Sequence, residues 1–97
     1  YSVNIPKTDV KVISTPGHTF EHESLLAETE TGKIAIAGDL FWWLDKEEQK
    51  TDYESLMSHK DPGGAKDENA LQESRKKILE MADWIIPGHG KMFKVKK

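Results

Sequence analysis

Val12-Ile13-Ser14-Thr15-Pro16-Gly17-His18-Thr19 sets the pattern from which the rest of the chain is read. β-Branched residues alternate up to Ile13, which is strand behaviour. Ser-Thr-Pro-Gly then breaks the strand with turn chemistry, and a histidine follows at once. The same order recurs further on. Ile34-Ala35-Ile36-Ala37 is a short apolar run closed by Gly38-Asp39, and Trp84-Ile85-Ile86 is closed by Pro87-Gly88-His89-Gly90. Each time, a side chain able to bind metal stands at the end of an apolar strand inside a glycine turn. Strand ends are rigid platforms, and glycine beside the ligand lets backbone approach closely. Taken singly, a histidine after Pro-Gly is usually a turn residue, and a Gly-Asp after a strand is usually a cap. Two Pro-Gly-His turns with a Gly-Asp between them are hard to obtain from ordinary loop composition. Two imidazoles and a carboxylate suit zinc, with iron or manganese as the harder alternatives.

Outward from these motifs, Val10 to Ile13 reads as the first strand and Ser24 to Glu28 as the second, and Glu30-Thr31-Gly32-Lys33 is a hairpin turn. Asp45 to Glu68 is a long polar stretch, of the kind that forms functional loops. It holds one or two helical turns near Asp52 to Met57 and a loose Asp61-Pro62-Gly63-Gly64. Asn69 to Met81 has the helical period: Leu71, Ile78, Leu79 and Ala82 share one face, and Glu73, Arg75, Lys76 and Lys77 are placed outside it. Asp67 or Asn69 caps its start. Phe93 to Val95 reads as a last strand. Strands, a helix, then strands again make the class α/β or α+β.

Composition bounds the function. The 97 residues make one small domain with a modest core, burying about 60–65% of the unfolded surface. No run of about 18 apolar residues exists to cross a membrane as a helix. No basic segment followed by an apolar one opens the chain, so no signal peptide is expected in these residues. With 14 basic and 17 acidic residues the net charge is −3, which argues against a nucleic-acid coat. The basic tail, Lys91, Lys94, Lys96 and Lys97, reads as solvated. With no cysteine there is neither disulfide nor thiolate site, and a cytoplasmic location is the expectation. Neither a phosphate-cradling glycine loop nor a Gly-x-Ser-x-Gly elbow occurs.

Thr15-Pro16-Gly17-His18-Thr19, Ala37-Gly38-Asp39-Leu40-Phe41 and Ile86-Pro87-Gly88-His89-Gly90, in this order, resemble the C-terminal half of the metallo-β-lactamase fold. The resemblance runs from about Val10 to Val95 and is nearest to the small metallo-β-lactamase-domain-containing hydrolases. It implies half of a four-layer αββα sandwich, with several strands and one main helix. It also implies that His18 is a ligand of the first of two metals, and His89 a ligand of the second. Asp39 would be the carboxylate that bridges them and serves catalysis. In such sites metal-bound hydroxide attacks an ester, thioester, amide or phosphodiester. A small ester or thioester substrate is expected ahead of nucleic acid.

The family's His-x-His-x-Asp-His stretch does not occur. Residues 1–97 therefore read as a C-terminal half-domain that carries about half of the metal site and is inactive alone, and the opening Tyr1 fits a fragment. Half a sandwich leaves one sheet face uncovered, so self-association is expected. The competing reading is a non-catalytic folding or dimerisation module. His22 is placed behind the ligands or on the surface, and His59 in solvent. Glu21 and Glu23 read as surface charges, although either could orient an imidazole. One of Trp42 and Trp43 is expected to pack under the loop, and the other is open between packing and lining a cleft.

Overall fold

A computed structural model describes residues 10–96. The five strands are β1 (Val10–Ser14), β2 (Glu23–Thr29), β3 (Gly32–Trp42), β4 (Trp84–His89) and β5 (Phe93–Lys94). Two helices, α1 (Tyr53–Ser58) and α2 (Glu68–Met81), lie between β3 and β4. The strands form one sheet in chain order. β1, β2 and β3 are an antiparallel meander, β4 adds parallel to β3, and β5 turns back antiparallel. The parallel step needs a crossover, which the two helices provide.

Alternation sorts the sheet into two faces. Leu26, Ala35, Ala37, Ile85 and Phe93 point to one face and are buried against Leu71, Ile78 and Leu79 of α2 and Leu56 of α1. On the other face, Val12, Leu25, Ile36 and Ile86 lie opposite one another across four strands. Val12 is 59% exposed and Ile86 36%. This is one sheet with helices on one side, an α+β arrangement as the resemblance implies. No helix among the described residues is long and apolar enough to cross a membrane.

The hairpin turn falls where expected, with Gly32 at φ 121 closing the Thr29–Gly32 pair. Asp67 caps α2 by accepting from the Ala70 amide. Two strand limits differ from the sequence reading. Gly38-Asp39 does not end β3, and Pro87-Gly88 does not end β4. Both strands run on, but their pairing shifts register between Ile36 and Gly38 and again between Gly38 and Trp42. Gly38, at φ 53, makes a bulge that bends β3 instead of stopping it.

Arg75 is a second correction. It is fully buried, not on the outer face of α2. Its position, four residues after Leu71, puts it on the inward stripe. There it finds carbonyl acceptors: Nε donates to Leu40 O at 3.0 Å, and Nη1 donates to Leu56 O and His59 O. Its guanidinium also lies 5.6 Å from the centre of the Phe41 ring. Burial lowers its pKa, opposed by the charges of Asp61 and Glu68. The side chain thus ties β3, α1 and the segment after α1 to α2.

Candidate metal centre

β1 and β3 run in the same direction, because each is antiparallel to β2, and β4 is parallel to β3. Their C-terminal ends therefore lie at one edge of the sheet. His18 follows β1, Asp39 sits in the far half of β3, and His89 closes β4. Topology alone brings the three sequence-predicted residues to that edge.

The His18 turn is fastened to α2. Ser74 Oγ donates to Pro16 O at 2.7 Å, Lys77 Nζ to Ser14 O at 3.0 Å, and the Asp67 amide to Gly17 O at 3.0 Å. Gly17 packs so tightly that an added Cβ would stand 2.3 Å from Leu71 Cα. Only glycine allows this approach.

His18 Nδ1 lies 2.5 Å from Asp61 Oδ2. A carboxylate oxygen accepts, so Nδ1 carries a proton, and in the neutral ring Nε2 presents its lone pair. That Nε2 faces Asp39 Oδ2 at 3.4 Å. Two acceptors in this position repel each other unless a cation or proton stands between them. Two donors on one tetrahedral metal stand about 3.3 Å apart, from metal–ligand bonds of about 2.0–2.1 Å. The pair therefore has the spacing and the chemistry of one corner of a metal site.

Asp39 is held by its backbone and by its surroundings. Its amide donates to His22 Nε2 at 3.1 Å. Gly88 leaves room for its carboxylate, since a Cβ there would stand 2.8 Å from Asp39 Oδ1. His22 Nδ1 donates to Thr15 O at 3.1 Å, and Thr15 Oγ1 is within 2.9 Å of the same nitrogen. Burial lowers the His22 pKa, against the raising effects of the Thr15 carbonyl and Asp39. Of the two placements expected for His22, the inner one holds and the surface one does not.

His89 is separate. Its Nδ1 donates to Trp43 O at 2.6 Å, and its Nε2 faces Asp45 Oδ1 at 3.0 Å. It lies beside a shallow cleft of about 270 Å³, shared with Trp42, Trp43, Leu44 and Asp45. Both His89 and Asp45 are largely exposed. Among the described residues no group of three or more His, Asp or Glu side chains converges as a metal cage. The donor types suit a metal, but the described residues do not form a closed site.

Asp61 is the residue that sequence reading missed. Its side chain is fully buried, not part of a loose loop. Besides His18 it binds Trp42 Nε1 at 3.0 Å and the Gly63 amide at 2.9 Å, both through Oδ1. Burial alone would raise its pKa. The hydrogen bonds from His18, Gly63 and Trp42 outweigh that and hold it below the usual carboxylate value. It stands 43 residues from His18, so no local spacing reveals it. Glu21 and Glu23, the nearer carboxylates, are exposed.

His59 is also not in solvent. Its Nε2 donates to Trp42 O at 2.9 Å, and its ring lies 5.2 Å from that of Trp43. Trp43 is a core residue, 3% exposed. Trp42 is the half-buried one, and its ring lies nearly perpendicular to that of His18, ring centres 6.1 Å apart.

No family model matches the chain. It is 38% identical over 89 residues to metallo-beta-lactamase domain-containing protein 1 of Xenopus laevis, covering 91% of this chain and 34% of that protein. To the proteins of the same name from Mus musculus and Homo sapiens it is 35% and 31% identical over 88 residues, covering 30% and 29% of them. The chain thus spans about a third of the length of these curated relatives. A solved structure of N-acyl homoserine lactone hydrolase, with the product N-hexanoyl-L-homoserine at its catalytic metal centre, matches with a TM-score of 0.48. That match has 25% identity and covers 82% of this chain and 27% of the other.

Proposed function

The chain is a partial domain of the metallo-β-lactamase superfamily, and from that premise we propose that it is the C-terminal half-domain of a metal-dependent hydrolase. In this reading His18 and Asp39 hold one metal corner, Asp39 also borders a second metal, and His89 belongs to that second one. The remaining donors come from outside this chain, which by itself is inactive. Zinc is the first candidate metal, and iron or manganese would suit the same donors. When bound, such a metal polarises the scissile group and makes water acidic enough to ionise near neutral pH. The chain's own share is to position. The bulge at Gly38 and the His22 bond aim Asp39, and the turn fastened to α2 aims His18.

The observation that carries this reading is His18 Nε2 set 3.4 Å from Asp39 Oδ2. A small ester or thioester suits the net charge of −3 better than RNA does. The test is zinc titration of the chain and of a longer form of the protein, beside His18→Ala and Asp39→Ala. Thioester and labelled-RNA assays of the longer form, with and without chelator, accompany it. We expect both substitutions to weaken zinc binding and the chelator to stop thioester turnover. A rate that survives chelation overturns the metal reading, and RNA cleavage without thioester turnover overturns the substrate class.

A second reading rests on the apolar row Val12, Leu25, Ile36 and Ile86. In the isolated chain this row is the surface through which two copies associate, a dimerisation role that needs no catalysis. Light scattering should then give a species near twice 11.0 kDa. A monomer with a sharp thermal transition would remove this reading.

A further inference from the structure

We infer that Asp61 is a positioning residue that selects the tautomer of His18 and so decides which ring nitrogen faces Asp39. The inference rests on the metal reading of His18 but is tested separately from it. Asp61 presents two different faces. Oδ1 accepts from two donors, Trp42 Nε1 at 3.0 Å and the Gly63 amide at 2.9 Å. Oδ2 is left for His18 Nδ1, at 2.5 Å. The carboxylate is fully buried, so no water replaces a lost partner. It cannot donate when ionised, so a neutral imidazole must place its single proton on Nδ1. Nε2 then keeps the lone pair that faces Asp39. Carboxylate–histidine pairs set ring orientation and ligand basicity in this way in metal sites generally.

The two-faced geometry makes a near-isosteric substitution informative. In Asp61→Asn one oxygen becomes an NH2 group. Trp42 and Gly63 are both donors, so the amide oxygen turns to them and the NH2 turns to His18. His18 Nδ1 must then accept, and the ring proton moves to Nε2. The nitrogen that faced Asp39 with a lone pair now faces it with an N–H. The side chain keeps its volume and the fold keeps its contacts, but the ligand atom is blocked.

The experiment is long-range 1H–15N NMR of the His18 ring in the metal-free chain, at about pH 8, above the ordinary histidine range. Zinc titration of the same samples, with the metal alone as probe, runs beside it. The wild-type chain should show the Nδ1–H tautomer. Asp61→Asn should show Nε2–H with an unchanged fold by circular dichroism, and its zinc affinity should fall by about 10–100-fold. A wild-type Nε2–H ring, or a folded Asp61→Asn chain that keeps Nδ1–H, overturns the inference. If Asp61→Asn does not fold, the wild-type spectrum decides alone. If the tautomers behave as stated but the wild-type chain and a longer form bind no zinc, the positioning role stands and the metal reading falls.

Discussion

The two histidine corners of this sheet edge are built differently. At the first, the His18 side chain is 19% exposed and its carboxylate support, Asp61, is completely buried. A turn tied to α2 by Ser74, Lys77 and Asp67 carries it, and His22 holds the backbone of the facing Asp39. At the second, the His89 side chain is 56% exposed and faces Asp45, which is 88% exposed. Its Nδ1 donates to the Trp43 carbonyl. Both present Nε2 toward a carboxylate, but that of the first has a buried carboxylate behind it and that of the second meets an exposed one. Preorganisation is a property of the supporting residues and not of the ligand type.

Breaking the support of the first corner should cost most. Arg75→Met would strip the buried carbonyls of Leu40 and Leu56 and the half-buried one of His59 of a donor. A loss of about 3–5 kcal/mol in urea unfolding is expected, since each unsatisfied buried acceptor costs about 1–3 kcal/mol. In a domain this small, that approaches the whole of its stability. Gly17→Ala comes next. It forces a Cβ into the α2 backbone at a φ of 145. About 3 kcal/mol is expected from overpacking and strain together, read by the same method.

Substituting the histidines themselves sharpens the contrast. His18→Ala leaves a buried carboxylate oxygen without its donor and should lower metal-free stability by about 1–3 kcal/mol. His89→Ala and Asp45→Ala remove an exposed pair and should stay within about 0.5 kcal/mol. Equal losses at the two corners would erase the distinction.

The smallest effect is one of pH. Burial lowers the folded-state pKa of His22, so folding favours the neutral ring. The unfolded value is near 6.5, and the stability this brings is therefore fully present above it. It is lost as pH falls below about 6.5 and through the folded value. Melting temperatures between about pH 7.5 and 5 should fall more for the wild-type chain than for His22→Gln. The first protection lost in hydrogen exchange should be around Thr15 and Asp39. A parallel fall in both chains would locate the acid sensitivity elsewhere.

Much of the fold was legible because it is written in local pattern. Alternation gave β1 and β2, Gly32 gave the hairpin, and the spacing of Leu71, Ile78 and Leu79 gave α2. The three motif residues could be found because each ends or interrupts an apolar strand beside glycine. What local pattern could not give was the continuation of β3 and β4 through their glycines. A glycine that ends a strand and a glycine that bulges one look alike until the partner strand is in place. Nor could it place Arg75, whose charge argues for solvent until three backbone carbonyls surround it.

The sequence by itself determined the class of fold, the placement of His18, Asp39 and His89 beside glycine in or after apolar strands, and a set of imidazole and carboxylate side chains without thiol. These follow from residue type and short-range spacing. Tertiary structure alone decided which of them meet and how firmly. It set Asp39 opposite His18, left His89 at an exposed margin, and drew Asp61 across 43 residues to orient the His18 ring. The physical reason is that hydrogen-bond partners of a buried group are chosen by where the chain folds back, and the energy of an unmade bond there is what fixes the choice.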